Sequence, residues 1–354
     1  MIAHIAAERL FNQRLARPGP RTPEDLVSWF GAVQAQEYAG SKWALALRMP
    51  GRTTADSIDR AIDSGRILRT HVLRPTWHFV VAEDLGWMLQ LTAPRVHGKM
   101  AYAYRFGGVD ASMRMRAADV FARALETGEH LTRRELGRHL EREGLAVNAL
   151  ALAFLTIHAE LEGVICSGAR RGKELTYALL TARAPKQRRL LRDEALAELT
   201  RRYFRSHAPA TIRDFVWWSG LTAVDAKRGL EIVGARSEVA NGRTYWRLGR
   251  ARPRAMSQGS VHLVPIYDEY LVAYRDLDAV PRMAGASLGP AVIIDGQVAG
   301  SWKSTVRGDV VTVTVTPRRR LAASERDTLE RTVNQLGRHL EKNASLALAK
   351  TRGL

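Results

Sequence analysis

MRMRAADVFARALETGEHLTRRELGRHLEREGLAVNALALAFLTIHAELEGVICSGARRGKELTYALL, residues 113–180, carries three helical patterns followed by two short strands. Residues 113–128 repeat apolar side chains at i, i+3 and i+4, the signature of one buried helix face. Thr132 and Glu135 then make a capping box, in which hydroxyl and carboxylate each satisfy a backbone N–H left orphaned at a helix start. A short helix follows the box, and residues 148–163 supply a third, more apolar one. GVICSG and LTYALL flank the tip Ala169-Arg170-Arg171-Gly172-Lys173 and read as a hairpin. Helix, helix, helix and hairpin is the order of a winged helix-turn-helix unit.

The same grammar recurs on both sides. Downstream, helix 193–206 leads to Thr211-Ile212-Arg213-Asp214, again Thr-x-x-acid, then to TAVDAKRGLEIVG and a hairpin turned at Asn241-Gly242. Upstream the copy is distorted. AERLFNQRLA precedes Thr22-Pro23, a cap with proline at the first helical position. TADSIDRAIDSG then leads into strands ILRTHVL and TWHFVV, turned at Arg74-Pro75. Between them, residues 34–50 read as an insertion after the second helix. From residue 260 the pattern turns β-rich, with an Asp295-Gly296 turn, and SERDTLERTVNQLGRHLEKN closes as an amphipathic helix. The chain is therefore expected to be α+β. Three winged units (1–110, 111–185 and 186–255) are followed by a small β-sheet or barrel with a terminal helix (256–354).

A length of 354 residues, 46% of them hydrophobic and 25% charged, suits a multi-domain globular protein with substantial cores. The net charge of +18 favours a polyanionic partner, here double-stranded DNA read by helices and wings. Cys166 is the only cysteine, which excludes a disulfide framework and a cysteine-based zinc cluster; its setting, GVICSG, reads as buried strand. No phosphate-loop or dinucleotide motif is present, so neither a metal nor a cofactor is expected. The N-terminal residues lack a leader pattern and no run approaches a membrane span, which points to a cytoplasmic, nucleoid-associated protein. With no dimerisation helix evident, a monomer on duplex DNA is expected; a non-catalytic DNA-binding regulator is the alternative.

Within this basic scaffold Gln34-Ala35-Gln36-Glu37 stands out. Residues two apart diverge on a helix but share a side of an extended chain, so an extended backbone would aim both carboxamides at one place. Alternatively, the quartet is a polar helix end. His71 and His78 fall on opposite pleats of the first wing, the former expected at DNA backbone and the latter in the core. Arg69, Arg74, Arg133, Arg134, Arg170, Arg171 and Lys173 are candidate DNA contacts. Asp268 and Glu269, in an aromatic run, are expected to be structural carboxylates accepting backbone or Arg hydrogen bonds.

GAVQAQEYAGSKWALALRM, LRTHVLRPTWHFV, VPIYDEYLVAYRD and AVIIDGQVAGSWK occur in an order that resembles the AlkZ/YcaQ family. The resemblance covers nearly the whole chain. It implies tandem winged helices with a terminal β-barrel, and DNA glycosylase activity on alkylated bases, including in some members crosslinks through purine N7. The family signature is Gln-aliphatic-Gln, or Gln-aliphatic-Asp in one branch. Gln34 and Gln36 match the first form, and the resemblance implies that they are catalytic. Two departures are Ala32-Val33 before the pair, where many members have Gly-Leu, and Arg74-Pro75-Thr76 in the hairpin, where a small residue is common.

Overall fold

Thr132 and Thr211 each accept a hydrogen bond from the backbone N–H three residues on, while Glu135 and Asp214 reach back to the cap N–H, so both capping boxes form. They start two of the helices that organise the chain. The computed structural model describes residues 2–249, 259–275 and 289–349. Within these, α1 (Ile2–Asn12) precedes a first set: α2 (Pro23–Phe30), β1 (Val33–Gln34), α3 (Tyr38–Ala46), α4 (Ala55–Asp63), β2 (Ile67–His71) and β3 (Trp77–Val81). A long helix, α5 (Leu85–Phe106), leads to the second set: α6 (Ala111–Ala124), β4 (Leu131–Thr132), α7 (Arg133–Arg142), α8 (Ala149–Leu161), β5 (Ile165–Ser167) and β6 (Thr176–Leu179). After the short α9 (Leu180–Arg183) comes a third: α10 (Arg192–Ser206), α11 (Ile212–Ser219), α12 (Ala223–Ile232), β7 (Arg236–Ala240) and β8 (Arg243–Arg247).

The first two sets share one sheet plan. β1 pairs antiparallel with β3, Val33 opposite Phe79 and Gln34 opposite His78, and β3 pairs with β2. β4 pairs antiparallel with β6, Leu131 opposite Tyr177 and Thr132 opposite Thr176, and β6 pairs with β5. In the third set a single bridge, Ala210 to Trp246, replaces the first strand. This register corrects the reading of residues 34–50 as an insertion. Gln34 occupies the place that Thr132 has in the second set, between the first and second helices, and α1 is the additional element. A two-residue strand has no periodicity to betray it, so the sequence pattern alone makes α1 look like the first helix of the unit.

The remaining strands β9 (Val261–Val264), β10 (Ala291–Ile294), β11 (Gln297–Arg307), β12 (Val310–Pro317) and β13 (Asn343–Leu348) form one sheet in the order β13-β12-β11-β10-β9. α13 (Glu269–Val272) follows β9, and α14 (Ala323–Leu340) connects β12 to β13, which pair in parallel. The described strands make an open sheet, not a barrel, and the chain re-enters it after α14. Val311, Val313 and Val315 are buried at alternate positions, the period expected of a strand with one covered face.

The cores join these pieces in an order that sequence adjacency does not give. One core merges α2, α3 and α4 with the C-terminal sheet and α14. A second joins the other side of the first wing to α5, α10 and α11. A third belongs to the second set alone. Cys166 is buried in the second core, and burial pushes its thiol up to about 12. No helix among the described residues is long and apolar enough to cross a membrane. The domain boundary at 255/256, and Asp276 at the end of the VPIYDEYLVAYRD block, lie outside the described residues.

Candidate active site

The Gln pair lies where strand β1 runs on as extended chain. Gly31, at φ 87, closes α2, and the chain then runs extended: Ala35 donates to the Trp77 carbonyl at 2.7 Å, carrying the β1–β3 ladder past Gln34. Glu37 caps α3 by accepting from Ala39 and Gly40, so the quartet divides its labour between an extended pair and a cap. Gln34 is buried and Gln36 half-buried.

One carboxamide is held by the turn of the first hairpin and the other by the start of β3. Arg74 Nη2 donates to Gln34 Oε1 at 2.7 Å, and the Trp77 backbone N–H donates to Gln36 Oε1 at 3.3 Å. Behind the strand, the Gln34 backbone N–H donates to Glu269 Oε1 at 2.7 Å. Arg69 Nε donates to the Ala35 carbonyl at 2.9 Å and its Nη2 to that of Gln36 at 3.4 Å. Every backbone and side-chain polar group used here fixes the shape of one four-residue segment.

Glu269 is itself buried in a ring of donors. Trp218 Nε1 donates to its Oε2 at 3.0 Å, and His207 Nε2 lies 3.3 Å from the same oxygen. Burial pushes this carboxyl up, but His207, the Arg74 charge and the Gln34 N–H outweigh it and hold it below the usual range. Burial pushes His207 down. Asp268 serves a different partner, Arg48, which donates to both its oxygens at 2.7 and 2.8 Å, with both side chains buried.

Beside Gln36 lies a cavity of about 430 Å³, lined by Gln36, Trp77, Tyr38 and Arg69 from the first set and by Arg133, Glu160 and Tyr177 from the second; the buried Gln34 does not reach its lining. The Trp77 ring has the Arg69 guanidinium 4.3 Å from its centroid and the His71 ring at 4.6 Å. Such a space suits a flat aromatic ligand with polar edges. Glu160, from α8, is buried; its Oε2 lies 2.5 Å from His71 Nδ1, while its Oε1 has no hydrogen-bond partner. Glu160 is the one acid of α8, but nothing in the sequence shows that the helix end packs against the first hairpin.

The candidate DNA contacts separate by environment. His71 is 1% exposed and tied to Glu160, which corrects its expected place on DNA backbone: α8 packs across β2 and covers it. His78 is fully buried, and burial pushes it down to about 3. Arg69 and Arg74 hold the Gln segment instead of facing solvent. Arg170 is also engaged, pairing with Asp59 and Asp63 at 2.8 Å each. Arg133 is half-buried and donates to Tyr177 Oη at 3.2 Å, and Arg171 pairs with Glu135. Arg134 and Lys173 remain exposed near the second hairpin.

The chain belongs to the AlkZ-like DNA glycosylase family, whose profile, described as DNA glycosylase AlkZ-like, matches residues 27–339. That places it in a class of N-glycosyl hydrolases with DNA as substrate. Among solved structures, Streptomyces sahachiroi DNA glycosylase AlkZ has a similar fold, with a TM-score of 0.79 and 21% identity over 98% of this chain and 99% of that one. Comparison with curated proteins gives no match.

Proposed function

We propose that this protein is a monofunctional DNA glycosylase that hydrolyses the N-glycosidic bond of N7-alkylated purines, crosslinked ones included, with Gln34 and Gln36 as its catalytic residues. It acts as a monomer through three winged helix-turn-helix units, 1–110, 111–185 and 186–255, completed by the sheet of 256–354. The observation that carries the reading is the extended segment from Gln34 to Gln36, whose Gln36 lines an aromatic cavity large enough for one nucleobase while Gln34 is buried and held by Arg74.

An N7-alkylated purine is cationic and leaves without prior protonation. The bond from C1′ to N9 breaks, its electron pair neutralises the base, and a water adds to C1′ while giving its proton to solvent. The sugar passes through an oxocarbenium-like state, as in glycoside hydrolysis. Oriented neutral amides can place that water and stabilise the developing charge without a strong base. Arg74 fixes the Gln34 oxygen and the Trp77 N–H that of Gln36, which presets both dipoles. Glu160 lines the cavity and keeps one oxygen without a hydrogen-bond partner, which favours a base that is cationic or presents a donor edge. Among the described residues no lysine lines the cavity, and Lys42 is paired with Asp59 at 2.7 Å, so no amine is available for a Schiff base. The product is then an abasic site.

The test is release of 7-methylguanine from methylated duplex DNA. Gln34→Ala and Gln36→Ala should each lower the rate by about a hundredfold, the scale of losing one preorganised transition-state dipole. Equal release by wild type and both variants would leave a DNA-binding protein without this chemistry.

A further inference from the structure

The helices α5 and α8 meet at a cluster that the site above does not use. His97 of α5 stands beside His158 of α8, with ring centroids 5.1 Å apart. Glu162 lies four residues beyond His158, at the end of α8 where the backbone is still helical (φ −76, ψ −2), and so shares its face. Its Oε1 is 2.9 Å from His97 Nε2. One potential ligand atom from each of the three residues lies within 4.8 Å of the other two.

The hydrogen bonding of this cluster is incomplete. His97 Nε2 makes no hydrogen bond despite its short distance to Glu162, so the oxygen sits beside the nitrogen but off the direction in which a proton would point. His158 is 8% exposed, and its Nδ1 has no partner either. Meanwhile His97 Nδ1 is 3.1 Å from Tyr104 Oη, which orients the ring and leaves Nε2 free. Metal-bound histidines are commonly held through their second nitrogen in this way. A hydrogen bond from Nε2 to Glu162 would satisfy one imidazole and leave the other orphaned; one shared cation satisfies all three groups.

We propose that His97, His158 and Glu162 form a binding site for a divalent ion of the zinc, cobalt and nickel class. Two imidazoles and one carboxylate select borderline transition ions over calcium or magnesium, which prefer oxygen ligands throughout. The Arg114 guanidinium, 4.6 Å from the Tyr104 ring centroid, adds positive charge nearby and disfavours any cation that lacks strong nitrogen bonds. His97 and Glu162 also line an open cavity of about 580 Å³, from which water completes the coordination. No sequence motif marks this site, because its ligands come from two helices and include no cysteine.

The ion would clamp α8 to α5 on one side while Glu160, two residues from His158, holds α8 to His71 on the other. The binding site itself stands independently of the proposed glycosylase chemistry, and so does its test. Metal-stripped full-length protein is titrated with Zn²⁺ by calorimetry, and with Co²⁺ while its visible absorption is recorded. One ion per chain is expected, with binding weakened at least about tenfold in His158→Ala, in Glu162→Gln and in Tyr104→Phe. Glu162 is half exposed, so Glu162→Gln keeps the fold, which circular dichroism verifies before metal is added. Wild type binding no ion, or binding one with an affinity unchanged in both His158→Ala and Glu162→Gln, overturns the proposal.

Discussion

Asp268 and Glu269 are neighbours in sequence and in burial, yet one neutralises Arg48 while the other joins Gln34 to Trp218 and His207. Asp268 neutralises Arg48, so Asp268→Ala strands a buried guanidinium and should cost about 3–5 kcal/mol, read from urea unfolding. Retention of wild-type stability would mean that Arg48 finds other partners without loss. Glu160 offers a sharper test of the chemistry. Glu160→Gln keeps its volume but removes the charge facing the cavity; release of 7-methylguanine should fall about tenfold, ~1.4 kcal/mol of barrier, while duplex binding changes little. A rate equal to wild type would remove the carboxylate from the proposed mechanism.

Among the elements, the first hairpin carries the most demands, because its turn holds Arg74 and its backbone holds Gln36. Gly220, at φ 74 after α11, lies against that turn, and a Cβ there would meet the Leu73 carbonyl at 2.4 Å. Gly220→Ala should therefore cost about 1–3 kcal/mol and displace Arg74 from Gln34, lowering stability and base release together. The second hairpin divides its cations. Lys173→Ala and Arg134→Ala should each reduce the slope of log affinity against log salt by about one, whereas Arg170→Ala should act on stability through Asp59 and Asp63.

These hairpins are legible in the sequence because Thr-x-x-acid caps, Asn-Gly and Asp-Gly turns and amphipathic periods are local signals. Three features are not: β1, too short for any period; α5, whose exposed stripe carries Pro94, Gly98, Tyr102 and Phe106, so that composition does not mark its solvent face; and β13, which pairs in parallel only after α14 has crossed. Gln34 and Gln36 stand out by composition and family pattern. Glu160 and Glu269 reach that site through tertiary contacts 89 and 235 residues away in sequence, from His71 and Gln34 respectively, which no local reading contains.

For the whole molecule, the buried histidines set the response to acid. His78 is pushed down to about 3 from 6.5 by burial, and burial lowers His207 as well. Folded-state values below the unfolded one mean that the unfolded chain binds more protons between them. The stability these groups allow is complete above about pH 6.5 and is lost as pH falls toward 3. The urea midpoint should accordingly drop between pH 7.5 and pH 5, and His78→Asn should flatten that drop. A midpoint that holds steady over this range would place the protonation cost elsewhere.

The hydrogen bond from the Gln34 amide to Glu269 also has a meaning in time. On the ribosome, the extended segment that bears both glutamines emerges early, but the carboxylate that anchors it is made more than two hundred residues later. Most of the C-terminal sheet that completes the core around α2, α3 and α4 is made later still. The anchor of the proposed Gln pair therefore arrives only with the last quarter of synthesis, and a chain terminated before Glu269 is left without it.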